Sequence, residues 1–315
     1  MNNIFAKNRP SVAVLLSTYN GEKFLREQLD SVLSQKDVDV ELIIRDDGSS
    51  DGTVTLLNKY SLKYSNITLL LEDNVGCEES FEKLIRYASF HTDSDYYSFC
   101  DQDDVWYAEK LSLSISAIGK DNEPCMYCCN QVITDGSLNP KELFISEEKY
   151  DSAVRRLEQN YLLNRHGCTL VWNKPLQSIL GNFKYQFIST PIHDVWATLV
   201  ARCAGKVIIG KEPLMYYRVH GNNTGGYERN KWKRLKKGVK LYLARTNNRN
   251  LYAKECLFLL DKNKRHDEGA NYIRKVASYK DSFFKRIKLV LSPQIRQYGR
   301  ADGYVYALSV LLGKY

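Results

Sequence analysis

The sequence has 315 residues, of which 43% are hydrophobic and 26% are charged, as in ordinary soluble globular proteins. No apolar run approaches the 18 or so residues that cross a bilayer, and residues 1–10 lack the apolar core of a signal peptide. We therefore expect a cytoplasmic protein. Its net charge of +8 is uneven, because residues 227–315 hold 22 Lys and Arg against 7 Asp and Glu, whereas residues 1–226 are net acidic. This asymmetry predicts two parts, a domain over 1–226 and a basic extension over 227–315.

The first hundred residues alternate between short apolar runs and segments with apolar residues three or four positions apart. The apolar runs at residues 12–16, 40–45, 67–71 and 96–100 predict strands that are covered on both faces. The segments between them predict helices. This alternation predicts an α/β fold with a doubly wound, mostly parallel sheet and right-handed crossovers.

Three polar loops follow strands of this sheet, at residues 17–21, 46–53 and 101–104. Because ligands bind at the carboxyl ends of the strands in such sheets, we expect the loops to converge on one crevice. The first strand is not followed by G-x-G-x-x-G, and G-x-x-x-x-G-K-[ST] is absent, which disfavours a dinucleotide-binding domain and a P-loop nucleotidase.

The third loop places three carboxylates, Asp101, Asp103 and Asp104, within four positions. Like charges this close repel one another unless a cation lies among them. Hard divalent ions prefer oxygen ligands and often bridge carboxylates to phosphates, so the cluster predicts a metal site for a phosphate-bearing ligand. The alternative is a solvated acidic turn that caps the following helix.

Together the three loops resemble the N-terminal motifs of family 2 glycosyltransferases of the GT-A fold. The matching stretches are Ser-Thr-Tyr-Asn at 17–20, Asp-Asp-Gly-Ser-Ser-Asp-Gly-Thr at 46–53 and Asp-Gln-Asp-Asp-Val-Trp at 101–106. With Tyr-Arg-Val-His-Gly-Asn-Asn-Thr at 217–224, the chain is similar to rhamnosyltransferase-like bacterial members that build surface polysaccharides. The resemblance spans about residues 10–225.

The resemblance implies an inverting, metal-dependent enzyme that moves a hexose (rhamnose, or galactose or glucose) from a dTDP- or UDP-sugar to a hydroxyl of a growing cell-surface glycan. Asp47 would accept a hydrogen bond from the ring N–H of the base. Asp103 and Asp101 would bind Mn²⁺ or Mg²⁺, and His220 would complete the metal shell or be an ordinary loop histidine. The predicted nucleotide-binding residues are Ser17, Thr18, Tyr19, Asn20, Asp46, Asp47, Asp101 and Gln102.

The general base would be Asp194, in a position where the family usually has an acidic pair and this chain has His193 before the aspartate. The alternative role for Asp194 is a helix N-cap. Residues 135–160 are polar, and we expect an irregular loop there that faces the acceptor. The residues predicted to bind the acceptor or the sugar are Asp104, Trp106, His166, Gly167 and His193. Asp104 could instead support the ligands of the metal, and the alternative for His166 is a structural role.

The extension mixes basic with apolar and aromatic residues at 231–240 and 283–291, as interfacial helices on anionic membranes do. We therefore expect peripheral attachment to the inner face of the cell membrane, and a glycan or lipid-linked glycan as the acceptor. The alternative is a set of solvated helices that pack on the domain. No nucleic-acid motif accompanies the charge, so we expect no nucleic-acid partner.

Two other functions stay open at this point. A sugar-phosphate nucleotidyltransferase also joins a metal and a nucleotide on such a sheet, but it normally carries a Gly-rich basic loop after the first strand, where this chain has only Lys23 nearby. A non-catalytic, membrane-associated scaffold would keep the fold without turnover.

Overall fold

The computed structural model describes residues 9–120, 122–163, 165–182, 192–221, 249–297 and 300–314. The chain divides into two compact units. The first comprises Met1–Glu147, Arg165–Ala197 and Gly205–Arg218, and the second comprises Glu148–Asn164, Thr198–Ala204 and Val219–Tyr315. The boundary predicted at residue 226 falls outside the described residues and stays a prediction.

The first unit is built around four parallel strands, in the order β3-β2-β1-β4. They are β1 (Ser11–Thr18), β2 (Asp39–Asp47), β3 (Ile67–Glu72) and β4 (Tyr96–Cys100). Residues 12–16 of β1 are completely buried, as expected for a central strand that is covered on both faces. The four strands predicted from the apolar runs are confirmed.

Three helices connect these strands: α1 (Leu25–Leu33), α2 (Thr53–Lys63) and α3 (Cys77–His91). Each buries one face, and in α1 that face carries Leu25, Leu29 and Val32 at the spacing of an amphipathic helix. The helices therefore leave the carboxyl ends of the strands open to the loops.

Beyond β4 the sheet becomes mixed. The remaining elements of the first unit that complete it are β5 (Val105–Trp106), α4 (Lys110–Ile118), β6 (Cys125–Thr134), β7 (Pro140–Leu143), β8 (Leu170–Asn173), α6 (Lys174–Asn182) and β9 (Lys206–Arg218). The sheet order is β3-β2-β1-β4-β8-β6-β9-β5, and β7 pairs with β6. β8 is antiparallel to both β4 and β6, whereas β6 and β9 are parallel. The predicted α/β class is confirmed.

The loop predicted over residues 135–160 is only partly irregular. It contains the strand β7 and a helix, α5 (Tyr150–Gln159), which belongs to the second unit. The strand escaped the sequence analysis because it is short and largely exposed, so its residues lack an apolar pattern.

The rest of the described second unit is helical, as predicted for the extension. Its helices are the end of α7 (His193–Ala204), followed by α8 (Arg249–Lys262), α9 (Glu268–Ser278), α10 (Phe283–Val290), α11 (Pro293–Arg296) and α12 (Arg300–Leu311). Asp267 caps α9 by accepting a hydrogen bond from Ala270 N at 3.0 Å. Among the described residues, none of the helices has the length and apolar character needed to span a membrane. The basic stretch 231–240 lies outside the described residues.

Candidate active site

The amide of Gln102 joins the third loop to the first. Its Oε1 accepts hydrogen bonds from Thr18 Oγ1 at 2.6 Å and from Tyr19 N at 2.9 Å. Its Nε2 donates to Tyr19 O at 3.1 Å. A Cβ on Gly21 would lie 2.4 Å from Gln102 Oε1, so a larger residue there would displace this amide. Gln102 therefore holds the first loop in place.

The second loop is joined to the first by further hydrogen bonds, three of which are short. Asn20 N donates to Ser49 Oγ, Ser50 N donates to Asn20 Oδ1, and Gly21 N donates to Thr53 Oγ1, each at 2.8 Å. The structure thus brings the three polar loops together at the carboxyl ends of β1, β2 and β4, as the sequence predicted.

The side chain of Asp47 binds other groups of the protein. Its carboxylate accepts hydrogen bonds from Val75 N at 2.8 Å and Gly76 N at 2.9 Å and forms an ion pair with Arg45. Only 2% of Asp47 is exposed. The contact of Asp47 with the ring N–H of a base stays a prediction. In this structure its carboxylate fixes the backbone of residues 75 and 76.

Arg45 is a fully buried arginine that acts on the same connection between β3 and α3. Besides Asp47, it donates to Glu72 Oε2 at 3.1 Å, to Ser80 Oγ at 3.0 Å and to Asp73 O at 2.9 Å. The planar guanidinium spreads five N–H donors over a rigid fork and so reaches acceptors on several sides, whereas the three donors of a lysine sit on one nitrogen. Arg45 therefore holds the start of α3 and the end of β3 together. The sequence analysis missed it, and its position within an apolar strand is the signal that was available.

The other predicted nucleotide-binding residues divide by burial. Thr18 and Asp46 are buried, and Asp46 accepts hydrogen bonds from Ser49 N at 2.8 Å and Ser49 Oγ at 2.6 Å. Tyr19 and Asn20 are exposed, and Ser17, Asp101 and Gln102 are partly exposed. A cavity of about 530 Å³ opens beside β2 and β3, lined among others by Asp46, Gly48, Ser49, Glu72, Asp73 and Lys83.

The carboxylates of Asp101, Asp103 and Asp104 in the third loop, which we call the acidic motif, repel one another. Burial raises the pKa of Asp101 to about 7, and the negative charges of Asp103 and Asp194 add to the effect. Asp101 and Asp103 are both partly exposed, and their carboxylates are the ligand type that Mn²⁺ and Mg²⁺ prefer. A cation among them would remove the repulsion, so these residues fit a divalent metal.

Asp104 points the other way, into the protein. It is fully buried, and its Oδ1 accepts a hydrogen bond from Arg218 N at 3.0 Å. One ligand atom each of Asp101, Asp104 and Cys168 lie within 4.8 Å of one another. Burial, followed by the charges of Asp104 and Asp101, raises the pKa of the Cys168 thiol well above its usual value, so it stays protonated. The predicted contact of Asp104 with a sugar is corrected, because its side chain is buried and binds the backbone of Arg218.

Arg218, at the end of β9, organises the motif and was missed. Its Nε donates to Asp103 O at 2.8 Å and its Nη1 to Gly136 O at 2.9 Å, and it pairs with Glu27. Its guanidinium also lies 4.5 Å from the centre of the Phe24 ring. These contacts fix the backbone at Asp103. Arg218 lies in the Tyr-Arg-Val-His stretch at 217–220, of which the sequence analysis assigned a role only to the histidine.

Trp106 is also buried, and only 3% of the residue is exposed to solvent. The Nζ of Lys110 lies 3.1 Å from the centre of the Trp106 ring. Neither Lys110 Nζ nor Trp106 Nε1 has a hydrogen-bond partner in the described part of the chain. The predicted sugar contact of Trp106 is therefore corrected to a packing role under the acidic motif, where the buried ammonium of Lys110 lies over the ring.

Asp194 lies in the first turn of α7 and is partly exposed. Its Oδ1 accepts a hydrogen bond from Val195 N at 2.6 Å. Its charge acts on Asp101 and on the Cys77 thiol, whose pKa is raised to about 12 chiefly by burial. Asp194 is therefore near enough to the acidic motif for its charge to act on Asp101. Because α7 begins at His193, the aspartate lies within the helix and not at its N-cap.

His193 is buried between two phenylalanines. Its ring stacks on Phe81 at 3.8 Å and meets Phe99 edge-on at 4.9 Å, between ring centres. Burial lowers its pKa to about 3, so the ring is neutral. A Cβ on Gly167 would lie 2.5 Å from His193 Nε2. The predicted sugar contacts of His193 and Gly167 are corrected: Gly167 leaves room for the close approach of α7.

His166 is partly exposed and belongs to an aromatic group with Phe144 and Tyr217. Its ring stacks on Tyr217 at 4.7 Å and meets Phe144 at 4.8 Å. Its Nδ1 is 2.8 Å from Gln131 Nε2, and burial lowers its pKa to about 4. A neutral ring with one nitrogen held by Gln131 can still contact a sugar, so this role stays a prediction. The metal role of His220, which belongs to the second unit, also stays a prediction.

Comparison with known sequences gives a family and named relatives. Residues 13–180 match the profile of Glycosyl transferase family 2. The chain is 32% identical over 233 residues to the dTDP-rhamnosyl transferase RfbG of Shigella flexneri, an alignment that covers 70% of this chain and 78% of that one.

Comparison with solved structures gives the fold. TarS 1–349 of S. aureus in complex with UDP-GlcNAc superposes with a TM-score of 0.55 at 15% identity, over 97% of this chain and 93% of that one. The mannosyltransferase PcManGT of Pyrobaculum calidifontis, in complex with GDP-Man and Mn²⁺, gives 0.55 at 14% identity, over 98% and 86%. Both have the GT-A fold.

Proposed function

Because the chain belongs to glycosyl transferase family 2 and is a glycosyltransferase that uses a nucleotide-sugar donor, we propose that it is an inverting, metal-dependent hexosyltransferase. The donor would be dTDP-rhamnose, or another dTDP- or UDP-hexose, and the acceptor a hydroxyl of a growing cell-surface glycan. The similarity to a dTDP-rhamnosyl transferase favours rhamnose. The observation that carries the proposal is the convergence of the three loops on the acidic motif, with Asp194 near enough for its charge to act on Asp101.

The donor's nucleotide would lie on the joined loops. Ser17, Tyr19 and Asn20 are the residues of the first loop with exposed surface, so they are available to the nucleotide. Asp101 and Asp103 would hold Mn²⁺ or Mg²⁺. The bound cation would neutralise the diphosphate and stabilise it as the leaving group.

The acceptor's hydroxyl would be activated by Asp194. The hydroxyl oxygen forms a bond to the anomeric carbon of the donor while the bond from that carbon to the diphosphate breaks. The hydroxyl proton passes to the Asp194 carboxylate. Attack from the side opposite the diphosphate inverts the anomeric centre.

The acceptor would be a lipid-linked glycan, which places the enzyme in the cytoplasm on the inner face of the cell membrane. The basic character of the C-terminal part supports this placement, since anionic lipids attract such segments.

A screen of nucleotide sugars tests the proposal. The full chain is heated with each donor, with and without Mn²⁺, and its unfolding temperature is measured. A donor at 100 times its Kd should add about 2.7 kcal/mol of apparent stability. The stabilising donor is then incubated with Mn²⁺, and release of free sugar and nucleoside diphosphate is measured. Stabilisation without any turnover would favour a scaffold. Consumption of a sugar phosphate and a nucleoside triphosphate, with release of pyrophosphate, would favour a nucleotidyltransferase.

A further inference from the structure

Two neighbouring helices of the second unit leave large apolar side chains in solvent. Between 58% and 76% of each residue is exposed. We call this set the C-terminal apolar surface, and its members are Phe283, Phe284, Leu291, Tyr304, Leu308 and Leu312. Scattered exposed apolar residues are ordinary, but a group of six on adjoining helices indicates a binding surface.

The spacing places each group along one side of its helix. In α12 and just beyond it, Tyr304, Leu308 and Leu312 follow each other at intervals of four, whereas Ser309 and Val310 are buried. In α10, Leu289 is buried and anchors the helix. The two helices are in contact, and Arg286 Nη1 donates to Leu311 O at 3.1 Å. The apolar side chains are therefore presented on a fixed framework.

Basic side chains accompany this surface. Burial lowers the pKa of Lys280, and the nearby positive charges of Lys254 and Arg286 lower it further. Lys288 is exposed, and its Nζ lies 4.8 Å from the centre of the Phe284 ring. The nearby Asp281 pairs with Lys285 at 2.8 Å. Positive charge is thus concentrated beside the exposed phenylalanines.

We propose that α10 and α12 dock on the anionic face of a phospholipid bilayer, with the C-terminal apolar surface inserted at the level of the headgroups. Apolar and aromatic side chains flanked by lysine and arginine are what an interfacial helix requires. A second copy of the chain fits less well, because pairing these surfaces would bring the two basic groups together. The inference rests on the proposed function only in that a lipid-linked acceptor explains why docking is useful. Docking is measured without turnover, so a failure to dock would overturn the membrane attachment and leave the proposed glycosyl transfer to be judged by the donor assays alone.

The test uses the full chain and sedimentation with vesicles of phosphatidylcholine alone or with about one third phosphatidylglycerol. We expect binding to the anionic vesicles and a loss of affinity of about tenfold or more in Phe283→Ser/Phe284→Ser. Phe90→Ser is the matched control, because Phe90 is 73% exposed on α3 of the first unit. It should bind as the unchanged chain does. If the double variant fails to fold, Phe284→Trp replaces it. Because the chain has four tryptophans of its own, the readout is the difference between the spectra of the variant and the unchanged chain, which should shift to shorter wavelength on anionic vesicles.

Charge is tested separately. Lys280→Gln/Lys288→Gln should weaken binding and reduce its salt dependence, whereas Lys59→Gln, an exposed lysine of α2, should not. Equal binding to neutral vesicles, no binding at low salt, or unchanged binding of the phenylalanine variant would overturn the proposal. So would a dimer in sedimentation that Phe283→Ser/Phe284→Ser dissociates. Donor hydrolysis, measured on the same samples without lipid, should be the same in all variants.

Discussion

At the scale of single residues, Asp194 has the central proposed role in the chemistry, that of the general base. Asp194→Asn keeps the size of the side chain and its hydrogen bond to Val195 N, but it removes the carboxylate that accepts the proton. We expect kcat to fall by about 10² or more, since general-base catalysis contributes about 10²–10⁴ in rate. Donor and metal affinity, measured by titration calorimetry, should stay the same.

The matched control for this variant is Asp39→Asn, an exposed aspartate at the opposite end of β2. It should leave kcat unchanged. A near-normal kcat with a lower unfolding temperature in Asp194→Asn would instead make Asp194 a structural residue of α7. His193 would not replace it as the base, because its ring is buried between Phe81 and Phe99.

Asp103 is the residue that we expect to carry the metal dependence. Asp103→Ala removes the carboxylate but keeps the backbone carbonyl that accepts from Arg218. We expect turnover to be lost, and donor binding to become weak and independent of Mn²⁺, because the diphosphate would no longer be neutralised. Calorimetry with the nucleoside diphosphate, with and without Mn²⁺, measures this. An unchanged, Mn²⁺-dependent affinity would refute the assignment.

The identity of site residues was easier to predict than their direction. The sequence indicated the acidic motif, because carboxylates directly after a strand stand out, whereas Asp194 was assigned from the resemblance to the family's base position. It could not show that Asp104, Trp106 and His193 point inward, since a residue type does not determine which way its side chain turns. The contacts of Arg218 with Asp103 and Gly136 were also hidden, because they join positions that are far apart in the chain.

At the scale of elements, the connection between β3 and α3 depends on one buried arginine. Arg45→Lys keeps the charge but loses the simultaneous contacts with Glu72, Ser80 and Asp73. Breaking a buried ion-pair network costs about 3–5 kcal/mol, and we expect a loss of about 2 kcal/mol or more because the lysine can keep one partner. KM for the donor should rise more than kcat falls, because Glu72 and Asp73 line the cavity beside the loops on which we propose that the nucleotide lies.

Urea unfolding and donor kinetics measure the two effects of Arg45→Lys. The matched control is Arg86→Lys, because Arg86 pairs with Glu82 on the surface of α3. A surface pair of this kind is worth about 0–1 kcal/mol, so the control should change little. If Arg45→Lys unfolded like the control, the network around Arg45 would not hold the connection.

Elements were predictable where burial left a pattern. The strands β1, β2 and β4 are largely buried apolar runs because helices cover both faces of the sheet there, whereas β3 is the edge strand and is only partly buried. β5 has two residues and β7 is an exposed edge strand, so neither leaves a pattern in the sequence. Helix α5 has one buried residue, Leu157, and its polar composition concealed it. Short or solvent-facing elements are fixed by their partners in the fold and not by their own residues.

At the scale of the whole molecule, the buried carboxyl group of Asp101 and the buried histidines act on stability in opposite directions as the pH changes. The pKa of Asp101 is raised to about 7, so the folded state gains stability as pH falls through that value and loses it as pH rises. The pKa of His193 is lowered to about 3 and that of His166 to about 4, by burial in each case. Below the usual histidine pKa of about 6.5, the unfolded chain binds protons that the two rings in the folded protein do not bind. The stability of the folded protein therefore decreases as the pH falls.

Because these contributions partly cancel in the unchanged protein, the effect of His193 has to be measured as a difference. In the described part of the chain, neither ring nitrogen of His193 has a hydrogen-bond partner, so His193→Leu removes the titration without breaking a hydrogen bond. We expect the free energy of unfolding, measured in urea without divalent cations, to change little at about pH 7. At about pH 5 the variant should be more stable than the unchanged protein by about 2 kcal/mol.

His91→Leu, at an exposed histidine of α3, is the control and should show the same pH dependence as the unchanged protein. Parallel pH curves for His193→Leu and the unchanged protein would mean that His193 gains its proton as readily in the folded state as in the unfolded one, and that the packing against Phe81 and Phe99 opens in solution.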